Sequence, residues 1–484
     1  MPQPTADPAG TRSQLAQLRP DLLKPYDAAL PGARAAVMGR LLTACHTETL
    51  PRSAHTRLTY PAAAATPFTE PPAGLTVTVD GIPTDDPAHL AALLWPGAPL
   101  AAELAGSVAN LALARAANPH PPRIPDDPQP GEIEQLLVDG HPLHPCCRTR
   151  AGMTTADILA YAPEHRPVFR LHRLRVPAAR WHGDGAPVLL AHPWQAIRLR
   201  EQYRWLTDDG QTGPVRPLMS LRTVAPLDGG PHIKTAVDVQ MTSAVRTVSP
   251  AAVRNGPLLS ALLTTLTADL PLDVLTETSA GAVITDHGPD RRLAHLIRQA
   301  PPAGAVPLGV LATTPSLLTA LGDPYQIMKD LGLVFFRPLT RLLERGVALE
   351  AHGQNTLVLI RNRRIVRTLY RDLGGVRVHA GRLTAAGHPM PPLIGDLPTS
   401  DDTELRTKLA AAALAGVARQ MITALQADPD RLWQIIATSL HGTADTKALL
   451  TDPLPVKATT AMRLAANPLH DRWTHLPNPM AAHA

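Results

Sequence analysis

Cysteine is nearly absent from this chain: there are three in 484 residues, two of them adjacent at Cys146 and Cys147. That count supports neither a disulfide framework nor the paired spacing of a zinc site, and it predicts a reducing, cytoplasmic setting. Aromatic residues make up only 3%, so the core has to be built from Ala, Leu and Val. No stretch reaches the roughly 18 uninterrupted apolar residues of a membrane span. Met1-Pro2-Gln3-Pro4-Thr5-Ala6-Asp7 lacks a basic stretch followed by an apolar run, so neither a membrane partner nor a secretory signal is expected. Basic residues do not gather beside stacking aromatics. The net charge of +5 and pI near 9.3 read as an arginine-rich surface without a nucleic-acid partner, and the excess would equally serve an anionic small substrate.

What the chain does have is length and proline. At this size one hydrophobic core stops growing, so two or three domains are expected. The 52 prolines, scattered without period, predict short elements joined by stiff loops. Leu100, Leu104, Val108 and Leu111 recur at spacings of four, four and three, one face of a helix that ends before the proline-rich run to Pro130. Val188–Ala191 reads as a buried strand leading into His192-Pro193-Trp194-Gln195. From His232 to Gln240 the residues alternate: Ile233, Thr235, Val237 and Val239 face one way, and Lys234, Ala236, Asp238 and Gln240 the other. That is the pattern of one half-exposed strand. A helix over Phe336–Arg345 stopped by Gly346, a hairpin, and a long helix through Leu405, Leu414 and Leu425 complete the chain. The expected fold class is α+β with mixed helices and antiparallel sheets. The expected parts are a helical 1–139, a β-rich 140–330 and a 331–484 region holding the hairpin.

The hairpin places a candidate metal site. Glu350-Ala351-His352-Gly353-Gln354-Asn355 precedes strand Thr356–Ile360, and Arg371-Asp372 follows strand Ile365–Tyr370 across a turn at 361–364. Antiparallel pairing brings the outer ends together, so Asn355 and Asp372 become neighbours although seventeen positions separate them. An amide oxygen and a carboxylate with open positions beside them suit magnesium, which prefers oxygen and is completed by water and substrate phosphates. Taken singly, Asn355 and Asp372 would read as turn caps.

A second cluster favours anions. Ser220, Arg222 and Thr223 precede the alternating strand, Lys234 lies on its polar face, and Thr242-Ser243-Ala244-Val245-Arg246 follows. Guanidinium, ammonium and hydroxyl donors around one strand fit phosphate or carboxylate oxygens. A third segment, Gly140-His141-Pro142-Leu143-His144-Pro145, runs on through Arg148, Arg150 and Gly152. Its prolines forbid a helix, and its histidines read as contacts to an anionic substrate rather than as zinc ligands.

In this order, together with Leu454-Pro455-Val456-Lys457 and Met462-Arg463-Leu464, these motifs resemble the NRPS-independent siderophore synthetases, the aerobactin-synthetase-like IucA/IucC family. The resemblance spans about residues 131 to 465. It implies a cupped hand of thumb, fingers and palm, and a homodimer. It also implies ATP-dependent adenylation of a carboxylic acid, citrate or a similar polycarboxylate, followed by attack of an amine or alcohol. By resemblance, Ser220, Arg222, Thr223, Lys234 and Gln354 would hold ATP. His144, Thr242, Arg246 and His352 would meet the acid, and Glu350, Asn355 and Asp372 would carry Mg2+. Arg246, His352 and Lys234 would be the catalytic set. The chain departs from the family in having Arg148 where a lysine is usual, and in a thin C-terminal region. Two other readings stay open: a small-molecule kinase, distinguished by releasing ADP instead of AMP and pyrophosphate, and a non-catalytic paralogue.

Overall fold

Alanine-rich helices open the chain. In the computed structural model, which describes residues 6–51, 56–242, 244–467 and 470–483, Leu23–Thr47 packs against Leu100–Ala117. Their small side chains let the helices approach closely around Tyr26, Met38, Leu41, Leu104 and Leu111. Leu100–Ala117 is the helix expected from its apolar spacing, and its buried polar residues have a second effect. Ser107 donates to the Pro145 carbonyl and Asn110 to that of Arg148, each at 2.9 Å. The loop bearing His141 and His144 is thereby tied to the helix. Ser243 and Met1–Thr5, both read above, lie outside the described residues.

The middle of the chain builds a six-stranded antiparallel sheet. Its order is Trp181–Gly183, Glu277–Thr285, Gly288–Arg298, His232–Thr235, Thr223–Pro226 and Val215–Pro217. The expected single strand from His232 to Gln240 is not formed. The chain makes His232–Thr235 in this sheet and then Val237–Met241, which pairs with Ala244–Arg246 in a separate ribbon. Buried Gln195 holds the break open, donating to the Ala236 carbonyl at 2.8 Å and accepting from the Asp238 N–H at 3.0 Å. A period-2 pattern cannot reveal a side chain from elsewhere that takes over the ladder's hydrogen bonds. The motif around Gln195 is thus structural: the His192 ring accepts from the Trp194 N–H at 3.2 Å and starts the helix Pro193–Gln202.

The hairpin forms as the sequence predicts, with a tighter turn. Thr356–Arg361 pairs with Arg364–Tyr370, and the turn residues Asn362 and Arg363 have φ of 50° and 61°. Two consecutive left-handed residues make the kind of turn that matches strand twist. Val306–Pro307 adds antiparallel on one side and Leu272–Val274 parallel on the other, so this sheet takes strands from both sides of residue 330. Its core includes Phe335, Phe336, Leu342, Tyr370 and Leu414. The fold is mixed α+β, and its sheets are antiparallel except for Leu272–Val274 beside the hairpin and Arg377–His379 beside Pro398–Thr399. One described helix, Asp402–Leu425, is long and apolar enough by composition to cross a membrane. Its Leu405, Leu409, Leu414, Val417 and Met421 are buried in this core.

Candidate active site

The open end of the hairpin is where the polar residues converge. Arg371 N–H donates to the Asn355 carbonyl at 3.0 Å, the last rung before Asp372. The Asn355 side-chain amide donates to the Glu350 carbonyl at 3.3 Å, which leaves its amide oxygen for a cation. Asp372 sits in a left-handed conformation with φ of 73°, unusual for a residue with a Cβ. Two buried side chains hold it there. The Tyr370 hydroxyl donates to the Asp372 carbonyl (3.1 Å), and the Glu277 carboxylate accepts from the Leu373 N–H (3.0 Å). Both polar groups of one peptide are therefore clamped. The same phenol accepts from the Glu350 N–H at 3.2 Å, so Tyr370 joins the segments before and after the hairpin. Glu350 lies over Gly375, where an added Cβ would come within 2.1 Å of its carboxylate. Arg371 is buried and forms a two-pronged ion pair with Glu134 at 2.5 and 2.7 Å.

Lys234 connects this end to the anion cluster. Its ammonium donates to both Asp372 carboxylate oxygens at 2.7 Å, across 138 positions of sequence. Burial pushes the Asp372 carboxyl up, but Lys234, Arg298 and Arg222 outweigh it and hold the group well below the usual carboxylate range. Lys234 itself is pulled down by burial, with Asp372 opposing. Burial lowers Arg222 to about 10, and its guanidinium donates to the Thr247 carbonyl. Ser220 and Thr223 bracket a turn, the Thr223 N–H donating to the Ser220 carbonyl at 3.0 Å, and Thr223 lies directly across from Lys234 in the sheet. Arg246 donates to the Thr242 hydroxyl.

His352 is half-buried. Burial depresses its pKa although Glu350 and Asp372 oppose the shift. Its Nδ1 accepts from the Gln354 N–H at 3.2 Å, which puts the proton of the neutral ring on Nε2 as a donor. Buried His144 is built the same way, its Nδ1 accepting from the Cys146 N–H at 2.9 Å. His144 is lowered by burial first, then by the charges of His141 and Arg246. Gln354 is exposed at the rim.

Several placements differ from the sequence reading. Glu350 faces two ammonium groups, Lys408 at 3.7 Å and Lys457 at 3.8 Å. Among the described residues no group of three or more His, Cys, Asp or Glu could hold a metal. Oxygen donors from Asp372, Asn355 and Glu350 nonetheless fit magnesium, which needs few protein ligands when phosphates complete its shell. Arg148 does not offer its charge to the cleft. It is buried, donating to the Leu137 carbonyl at 2.6 Å and to Glu164 at 3.2 Å, while Arg150 takes the other side of Glu164 at 2.6 and 2.9 Å. Sequence reasoning also missed Tyr370, Glu277, Lys408 and Arg298. Arg298 lies across from both His232 and Glu277 in the six-stranded sheet, and its buried Nε has no partner.

Residues 130–187 and 182–321 match the sequence model of the IucA/IucC family, and residues 334–478 match one described as ferric iron reductase FhuF-like transporter. The chain is 27% identical over 307 residues to staphyloferrin A synthase of Staphylococcus aureus, covering 51% of this chain and 52% of that protein. It is 24% identical over 338 residues to D-ornithine–citrate ligase of the same organism, covering 52% and 50%. It thus spans about half the length of these curated relatives. In three dimensions it is similar to petrobactin biosynthesis protein AsbB of Bacillus anthracis, with a TM-score of 0.78 at 16% identity over 96% of this chain and 98% of that one. ATP-bound aerobactin synthetase IucA of Klebsiella pneumoniae gives 0.73 at 19% identity over 93% and 99%. These likenesses establish a shared fold.

Proposed function

We propose, for a chain that belongs to the IucA/IucC family of NRPS-independent siderophore synthetases, an ATP-dependent ligase activity that joins citrate or a similar polycarboxylate to an amine or alcohol. The observation that carries this reading is the Lys234–Asp372 contact. It joins a cation-lined strand to a carboxylate-bearing hairpin end, and a magnesium nucleotide needs both signs of charge in one cleft. In the reaction a carboxylate oxygen of the acid attacks the α-phosphorus of ATP and pyrophosphate leaves. The amine or hydroxyl then attacks the acyl carbon, loses its proton, and AMP departs.

In this reading Ser220, Arg222, Thr223, Lys234 and Gln354 surround the nucleotide. Lys234 exchanges Asp372 for a phosphate oxygen when ATP binds. Asp372, Asn355 and Glu350 hold Mg2+, which offsets phosphate charge when bound. Arg246 supplies a fixed charge and His352, His144 and Thr242 neutral donors to the acid. A neutral His352 donating from Nε2 binds a carboxylate without surrendering a proton to it. The thumb, fingers and palm correspond to 1–139, 140–330 and 331–484, with Leu272–Val274 and Val306–Pro307 lent to the palm's hairpin sheet, and the enzyme acts in the cytoplasm as a homodimer in siderophore or related biosynthesis. The test is to incubate the protein with ATP, magnesium, citrate and hydroxylamine. Citryl hydroxamate and one pyrophosphate per product are expected, whereas ADP without pyrophosphate would overturn the ligase reading.

A further inference from the structure

Behind the Arg148–Glu164–Arg150 cluster lies a cavity of about 810 Å³, within the size range of small-ligand sites. Its walls come from the 117–123 and 164–166 segments, with Leu22, Leu136 and Val138 as apolar floor. The charges around it are unequal. The Glu164 carboxylate is consumed by Arg148 and Arg150, and Arg19 pairs with Asp21. Arg123 and Arg166 are exposed and have no ion-pair partner among the described residues. His165, also in the wall, has both ring nitrogens buried without a hydrogen-bond partner. Burial lowers its pKa to about 4, against the pull of Glu164. Both nitrogens are closed off from the cavity, so the neutral ring forms part of its wall and leaves the charge to the two arginines.

We infer that this cavity is a second anion site, distinct from the adenylation cleft, that takes a small polyanion bearing carboxylate or phosphate groups. Arg123 and Arg166 supply two planar forks that match either group, and the leucine and proline surfaces accept the ligand's carbon skeleton. An occupant would touch both elements that hold the cleft from behind. The 163–166 segment fixes Arg148 and Arg150 beside the His144 loop. The 133–138 segment fixes Arg371 through Glu134.

Calorimetric titration tests the site with two probes, citrate and inorganic pyrophosphate, the first reporting a carboxylate ligand and the second a phosphate one. The proteins are wild type, R123Q/R166Q and R246A. Two binding events per wild-type chain are expected with at least one probe. R123Q/R166Q should weaken one of them by more than about tenfold, the loss of two charge-assisted contacts, and R246A the other. Both substituted arginines are exposed, so the fold survives, and hydroxamate formation by R123Q/R166Q should stay within about twofold of wild type at saturating citrate and ATP. Binding of both probes to R123Q/R166Q as to wild type would overturn the inference. So would a single event abolished by R246A alone. Failure of hydroxamate formation in wild type, with the two binding events intact, would count against the ligase reading and leave this site standing.

Discussion

The two walls of the cleft are held very differently. On the hairpin side, Asp372 has a strained backbone whose following peptide is gripped at both ends, by Tyr370 and by Glu277, and its carboxylate is met by Lys234. On the other side, Arg246 stands in a two-stranded ribbon, Val237–Met241 with Ala244–Arg246, that joins no larger sheet. Its neighbour Val245 is 47% exposed, and its own side-chain contact is to Thr242 in the same turn. Magnesium demands near-ideal octahedral geometry, so the wall assigned to it gains from rigidity. An acid pocket that only has to supply charge and donors tolerates movement. On the proposed assignment, the rigid wall would serve what every turnover shares, and the loose wall what distinguishes one substrate from another.

The sharpest way to break that comparison is Asp372→Asn. It preserves shape and removes the charge that neutralises Lys234 and would hold the metal. Turnover should fall on the order of a hundredfold or more, with normal folding by circular dichroism. Raising magnesium should recover part of the loss, because weaker binding is offset by mass action. Wild-type turnover in this variant would remove Asp372 from the chemistry.

Arg246→Ala probes the loose wall. A charge-assisted contact to the acid is worth about 1.5–3 kcal/mol, so use of the acid should weaken by roughly ten- to a hundredfold. ATP affinity should change little. If ATP binding collapses while the acid's apparent affinity stays put, both walls serve phosphate and the contrast between them fails.

The same contrast marks what the sequence could say. The hairpin was legible because alternation, turn and flanking polar runs all lie within about twenty residues, and pairing geometry then forces Asn355 and Asp372 together. The strand after His232 was misread because the residue that breaks it, Gln195, comes from a helix some forty positions earlier. Tyr370 looked like one more apolar strand residue, and its hydroxyl's role depends on where Glu350 returns. Glu277 fell in no recognisable motif, since its target is the backbone N–H of Leu373 in the turn after the hairpin, 96 positions away. Arg148 was noted only as an arginine where a lysine is usual, and the fold gives its charge to Glu164. Local periodicity finds elements; the long-range hydrogen bonds that rigidify a site leave no trace in it.

Tyr370→Phe asks whether the rigidity itself matters, and its expected effect is the smallest of the three. The ring is fully buried, so phenylalanine keeps the packing and deletes only the hydroxyl. The Asp372 carbonyl loses its donor and the Glu350 N–H its acceptor. A buried polar group left unmet costs about 1–3 kcal/mol, so thermal or urea unfolding should show a loss on the order of 2 kcal/mol. Supporting residues around a metal ligand typically change its affinity by about ten- to a hundredfold. The lower end is expected here, because Glu277 still holds the other half of the clamped peptide. The concentration of magnesium giving half-maximal turnover should therefore rise roughly tenfold, while the KM for citrate stays within about twofold. A hydroxyl with only a structural role would lower stability and leave both constants alone. If magnesium and citrate requirements rise together, the clamp serves the whole cleft, and the division between a rigid metal wall and a loose acid wall is wrong.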